Sequence, residues 1–175
     1  GVLESRDCCL WAQYIANRFG TDQKIILAGL SMGASTVLMA TAHHEDRRVR
    51  INCSPEEPME VSMTLPKNVT GIVADSAFSS PYDIIKKRIR TTYHCNGRLL
   101  TIAIGIWSRM LAHYSLKELS VPDVMKHNTI PVLLVHGTED SNVPVEMTVK
   151  IAENCQAPKQ VLLVKGAEHG TGYLV

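Results

Sequence analysis

The chain lacks an excess of charge of either sign: 18 Lys and Arg stand against 17 Asp and Glu, a formal net charge of +1. A nucleic-acid binder would ordinarily show a basic excess or stripe, so that class of partner is not expected. The chain also lacks an apolar run long enough to span a membrane, since Arg98 and Arg109 bracket its greasiest segment. It shows no secretory signal, because Glu4, Arg6 and Asp7 interrupt the N-terminus at once. It has no C-x-x-C pair. Its five cysteines (Cys8, Cys9, Cys53, Cys95 and Cys155) are an odd number, which favours free thiols in a reducing, cytoplasmic compartment over a disulfide framework. It has no HExxH or comparable metal-ligand spacing either. His43-His44-Glu45-Asp46 reads as a solvated loop, because adjacent positions do not share a helix face.

What is present is ordinary globular material. The 175 residues suffice for one domain, and 45% hydrophobic with 20% charged residues is a normal soluble composition. Leu3, Asp7, Leu10, Trp11, Tyr14 and Ile15 fall at helical spacing, with Gly20 placed as a C-terminal cap. Lys24 to Leu30 is a short, continuously apolar run, as expected of a strand covered on both faces. Ala34 to Ala42 then reads as a buried helix. Residues 43–67 form a charged, proline-punctuated excursion, expected to be a variable surface insertion. Val69 to Asp75 is a second strand. Ser80-Pro81-Tyr82-Asp83 has the residues of a helix start, and that helix runs to about Thr92. Leu99, Ala103, Ile106, Trp107, Met110, Leu111 and Tyr114 make a helical apolar stripe, either a cap lining an acyl pocket or simple core packing. Pro131 to His136 is a third strand, Glu146 to Cys155 a helix, and Gln160 to Val164 a fourth strand. Strands alternating with helices imply βαβ units and a mostly parallel sheet, an α/β fold.

Between the first strand and its helix stands Gly29-Leu30-Ser31-Met32-Gly33. A G-x-S-x-G pentapeptide alone carries modest weight, since chance supplies one in about one chain of this length in twenty. Its setting raises that weight. A serine hydroxyl is a poor nucleophile, and a sharp strand-to-helix turn can expose it beside amides that face a developing oxyanion. Flanking glycines relieve crowding in such a turn. Ser31 is therefore the candidate nucleophile, and the Met32 amide the candidate oxyanion donor. Asp140 follows the third strand in His136-Gly137-Thr138-Glu139-Asp140; Glu139 and Asp75 compete with it, and an Asx-turn is the plain alternative. His169, beside Gly170 after the last strand, suits a base working near neutral pH, with His136 as its rival.

These stretches, KIILAGLSMGAST, GIVADSAFSSP, IPVLLVHGTEDSNVP and VKGAEHG, resemble an α/β-hydrolase from its nucleophile-elbow strand onward. In detail the chain is similar to bacterial serine hydrolases of the S33-peptidase-like and dienelactone-hydrolase-like groups. The resemblance implies nucleophile, acid and base in the order Ser31, Asp140, His169, with His136 structural. It implies hydrolysis of an ester, thioester or peptide-like acyl bond through an acyl-enzyme, with no metal or organic cofactor. The expected partner is a small-molecule or peptide acyl substrate. Two other classes fit the same residues: an acyltransferase, and a non-catalytic binding module on this fold.

The resemblance also implies that the fold's N-terminal strands are absent. The chain starts at Gly1 without Met and its first residues read as mid-helix, so 1–175 is expected to be a single, partial domain of a longer enzyme. Residues from about 81 to 128 are expected to form a helical cap region. The strand carrying Ser31 would then be an unpaired edge that invites self-association. A second oxyanion donor would be missing, which makes weak activity the expectation for the chain itself. An N-terminal anchor in the longer protein is left open.

Overall fold

The computed structural model describes residues 1–42, 48–51, 59–111, 113–117 and 120–174. The His43–Asp46 run, Cys53 and part of the 43–67 excursion lie outside the described residues. Helix α1 (Glu4–Phe19) leads into strand β1 (Ile25–Leu30), which turns sharply into α2 (Met32–Met39). Two short strands, β2 (Arg48–Ile51) and β3 (Met59–Ser62), pair antiparallel within the excursion. There follow β4 (Val69–Asp75), α3 (Pro81–Tyr93), α4 (Arg98–Leu111) and the short α5 (Val121–Met125). Strand β5 (Val132–Gly137), helix α6 (Val145–Asn154) and strand β6 (Lys159–Val164) complete the order. No described helix is long and apolar enough to cross a membrane.

The main sheet runs β1-β4-β5-β6, parallel throughout, with β1 at one edge. Right-handed crossovers taken in one direction along a sheet put the connecting helices on the same face. Accordingly α1, α2, α5 and α6 pack side by side, and α2 and α6 lie against the strands they follow. Between helices and sheet sits the core, built on Leu38, Met39, Ile72, Val121, Met125, Leu134 and Ile151.

The other sheet face is not covered by the described residues. Ile25 is buried, yet Ile26 is 64% and Leu30 50% exposed, and Val73, Leu133 and Val135 are only half-buried. The continuous apolar run in β1 therefore does not mean burial on both faces here. Strands β1, β4 and β5 alternate between one packed face and one open face, while β6, at the other edge, is exposed along nearly its whole length.

Two helices also turn away from the face their large residues suggest. On α1 the buried positions are Ser5, Cys9, Ala12 and Ala16, small side chains that admit close packing on α2. Trp11 and Tyr14 lie outside, in edge-to-face contact at 5.8 Å. Burial pushes the Cys9 thiol up to about 12, so it is an inert core group. On α4 the stripe is exposed: Leu99 is 83% and Leu111 72% accessible, while Thr101 is buried. Core packing does not account for that stripe, because α4 packs on α3 rather than on the sheet.

The start of α3 follows its sequence. Ser80 Oγ accepts from the Asp83 amide at 3.1 Å, with Pro81 at the first helical position, where a missing amide hydrogen costs nothing.

Candidate active site

The turn from β1 into α2 holds Ser31 at φ 55° and ψ −113°, a conformation unfavourable for any residue but glycine. Its amide donates to Asp75 O at 2.8 Å and its carbonyl accepts from Ser35 N at 3.1 Å, so neighbouring strand and helix both fasten it. A Cβ at Gly29 would lie 2.3 Å from the Gly33 carbonyl atoms. Only glycine there lets the helix start so close to the strand. Gly33 differs: a Cβ there would meet nothing within 4 Å. The turn requires its first glycine, and the expectation that both relieve crowding is corrected. Met32 is the first residue of α2, where amides have no intrahelical acceptor.

The loop after β5 carries Asp140, whose side chain is buried. Its Oδ1 accepts from the amides of Asn142 (2.9 Å) and Val143 (2.8 Å). Its Oδ2 accepts from His169 Nδ1 at 2.7 Å. The Asx-turn alternative is thus present too, on the oxygen that the histidine does not use. Burial alone would raise this carboxyl; the Val143 amide, the His169 ring and the Asn142 amide outweigh it and hold the group below its ordinary value. A carboxylate only accepts, so His169 Nδ1 carries the hydrogen. A neutral His169 ring then has its lone pair on Nε2, which has no partner among the described residues.

The rivals are placed elsewhere. Asp75 Oδ1 accepts from Ser76 Oγ at 2.9 Å, and Glu139 is exposed. His136 is fully buried, with Nδ1 2.7 Å from Thr148 Oγ1 and Nε2 donating to Val143 O at 3.0 Å. Its Nε2 also lies 3.3 Å from Asp140 Oδ2. It holds the acid loop from beneath.

Acid and base loops are fitted together at Gly137. A Cβ there would sit 2.2 Å from Ala167 O, the atom that accepts from the Glu139 amide at 3.0 Å. From the other side, Lys87 of α3 donates to the carbonyls of Ser141 and Asn142, both at 2.9 Å. Partial burial lowers the Lys87 ammonium, against the pull of Asp140 and Glu146.

Ser31 and His169 open into one cavity of about 360 Å³. Ile84, Ile85 and Arg88 of α3 form one wall, and Asn142 and Val143 of the acid loop another. In open α/β sheets ligands bind beyond the C-terminal strand ends, which is where this cavity lies. The exposed apolar residues of α4 do not line it. Lys87, Arg88 and Thr148 were not singled out from the sequence; nothing in their local pattern marks them, because their roles depend on which way α3 and α6 face.

A family model, BD-FAE, matches residues 5–155. The chain belongs to the BD-FAE family. Ser31 and Asp140 fall inside the matched span of this BD-FAE chain and His169 beyond it. A curated relative is the uncharacterized protein YqkD of Bacillus subtilis, 23% identical over 173 residues, 99% of this chain and 50% of that one. The BD-FAE chain thus spans about half the length of that relative. Among solved structures it is similar to acetyl xylan esterase 1 from Thermoanaerobacterium (TM-score 0.60, 17% identity, 96% of this chain and 49% of that one). It is equally similar to the esterase Est2 of Thermogutta terrifontis (TM-score 0.60, 20% identity, 97% and 56%). A puromycin-hydrolyzing peptidase of Mycobacterium tuberculosis matches at TM-score 0.59 and 17% identity, over 95% of this chain and 22% of that one. These likenesses establish an α/β-hydrolase fold with a mostly parallel sheet.

Proposed function

We propose that Ser31, His169 and Asp140 form the triad of a serine hydrolase that cleaves a carboxylic ester, thioester or peptide-like acyl bond. The observation that carries this reading is the 2.7 Å His169–Asp140 hydrogen bond at a cavity that Ser31 also lines. His169 Nε2 takes the Ser31 proton as Oγ bonds to the acyl carbon, and the carbonyl oxygen becomes an oxyanion beside the Met32 amide. Asp140 holds the imidazole in the required tautomer and stabilises the imidazolium. The oxyanion collapses, the leaving group departs with the proton from His169, and water repeats the sequence to free the acid and Ser31. The esterases and the peptidase it is similar to lend support to ester or peptide bonds as the class of substrate.

The same proposal treats residues 1–175 as one partial hydrolase domain, with 43–67 inserted and 81–128 as a helical cap region. It takes the protein as cytoplasmic and β1 as a self-association edge, since β1 has a neighbour on one side only in the described sheet. Labelling with a fluorophosphonate probe tests the nucleophile. Ser31→Ala should abolish labelling; a probe that still attaches to Ser76 or Ser79 would remove Ser31 from its role.

A further inference from the structure

The cavity beside Ser31 is uneven in its chemistry. Ile84 and Ile85 present an apolar wall, and Arg88, one turn further along α3, places a guanidinium in the same lining. Among the described residues no acidic side chain lines the cavity. Arg88 Nη1 donates to Asn142 Oδ1 at 3.3 Å, a long bond to a neutral partner, and a guanidinium has five N–H donors to place. Among the described residues no carboxylate forms an ion pair with Arg88, nor with Lys86, Lys87 or Arg90 on the same helix. Lys87 feels the pull of Asp140 and Glu146, and Lys86 and Arg90 line a separate cavity with Asp83. Among the described residues Arg88 is the cation in the wall facing the candidate nucleophile, and no carboxylate pairs with it.

A purely structural role explains this poorly. The Asn142 segment is already held by two 2.9 Å bonds from Lys87 and by the Asp140 carboxylate accepting the Asn142 amide. One exposed 3.3 Å bond adds little to that. A guanidinium suits a carboxylate instead, because its fork can donate two parallel hydrogen bonds to the two oxygens. Building on the hydrolase reading above, we infer that the site selects esters whose acyl chain ends in a carboxylate, half-esters of dicarboxylic acids, and that Arg88 is the residue that recognises the anion. The isoleucines pack on the hydrocarbon segment between ester and carboxylate. The neighbouring lysines and Arg90 raise the local concentration of such anions, an effect that salt should weaken.

The test uses monoethyl adipate and ethyl hexanoate, which differ only in the terminal carboxylate. Binding is measured by calorimetry on the Ser31→Ala chain, where turnover does not interfere. The adipate half-ester should bind at least tenfold more tightly than the neutral ester. Arg88→Met should reduce that preference about tenfold, Arg88→Lys should retain only part of it because an ammonium keeps the charge but not the two-pronged fork, and Arg88→Gln should repeat the loss if the Met variant fails to fold. On the unmutated chain, the ratio of kcat/KM for the activated counterparts, mono-p-nitrophenyl adipate and p-nitrophenyl hexanoate, should follow the same order. Equal binding of the two esters, no detectable binding of the half-ester, or a preference that survives both Arg88→Met and Arg88→Gln would overturn the inference. The two levels separate. Arg88-dependent binding with no cleavage of either p-nitrophenyl ester would keep the anion site and remove the hydrolase reading. Cleavage of both at equal kcat/KM, unchanged in ratio by Arg88→Met, would do the reverse.

Discussion

Replacing Gly137 by alanine is expected to disable the site through a single added methyl group. The new Cβ would stand 2.2 Å from Ala167 O and 2.7 Å from both Ala167 C and Glu168 O. Ordinary contact begins at 3.4 Å, so the base loop must retreat by 3.4 − 2.2, about 1.2 Å. His169 lies two residues beyond Ala167. If that displacement reaches the ring, its 2.7 Å bond to Asp140 stretches to about 3.9 Å, beyond any useful hydrogen bond. A misplacement of about 1 Å costs roughly a hundredfold in rate. The strain itself should destabilise the fold by about 1–3 kcal/mol. The assay is the second-order rate of fluorophosphonate labelling at Ser31, with thermal unfolding measured alongside. Gly71→Ala is the control, since a Cβ there meets its nearest atoms only at 4.0 Å. A Gly137→Ala chain that keeps both wild-type stability and labelling rate would refute the close fit of the two loops.

Asp140→Asn should slow turnover by orders of magnitude, up to about ten-thousandfold if the imidazole tautomer is lost, while Asp75→Asn does less; steady-state kinetics on p-nitrophenyl acetate at matched stability decides between them. Because folding lowers the Asp140 pKa, the stability it contributes is present above its unfolded value of about 3.9 and is lost as pH falls through the folded value. Asp140→Asn should therefore flatten the acid limb of a stability–pH curve below about pH 4, and a limb of unchanged slope would count against the ionised carboxylate. Leu134→Ala, at a fully buried core position, should cost about 2–5 kcal/mol in denaturant unfolding. The chain itself should show weak activity on activated esters and should self-associate, because Met32 supplies one oxyanion donor and β1 is an open edge; a monomer with brisk turnover of an unactivated ester, read by sedimentation and pH-stat, would contradict this.

The parts of the molecule legible in sequence are those set by local chemistry. A strand, a glycine-bounded serine and a helix could be read in order because Gly29 and Ser31 act within the turn itself. The strand ends carrying Asp140 and His169 were legible for a similar reason, since apolar runs followed by glycine-containing loops mark the end of buried strands. Facing was not legible. Periodicity finds the stripe of Trp11 and Tyr14 on α1 and of Leu99 and Leu111 on α4, but it cannot say which side of either helix is buried. In α1 the small residues Ser5, Cys9, Ala12 and Ala16 take that side because they let two helix axes come close. Alternating exposure in β1 was hidden because Ile25 and Ile26 are equally apolar while their sides of the sheet differ. Arg88 was invisible as a site residue for the same reason, since its place in the cavity depends on the rotation of α3.

The central claim is that acyl transfer passes through Ser31 under the control of His169. Rapid-quench mass spectrometry of the chain mixed with p-nitrophenyl acetate tests it directly. The account predicts an acetyl group on the peptide containing Ser31, absent in Ser31→Ala and formed no faster than background in His169→Gln. No adduct, an adduct on another residue, or acetylation of Ser31 at an unchanged rate in His169→Gln would contradict it.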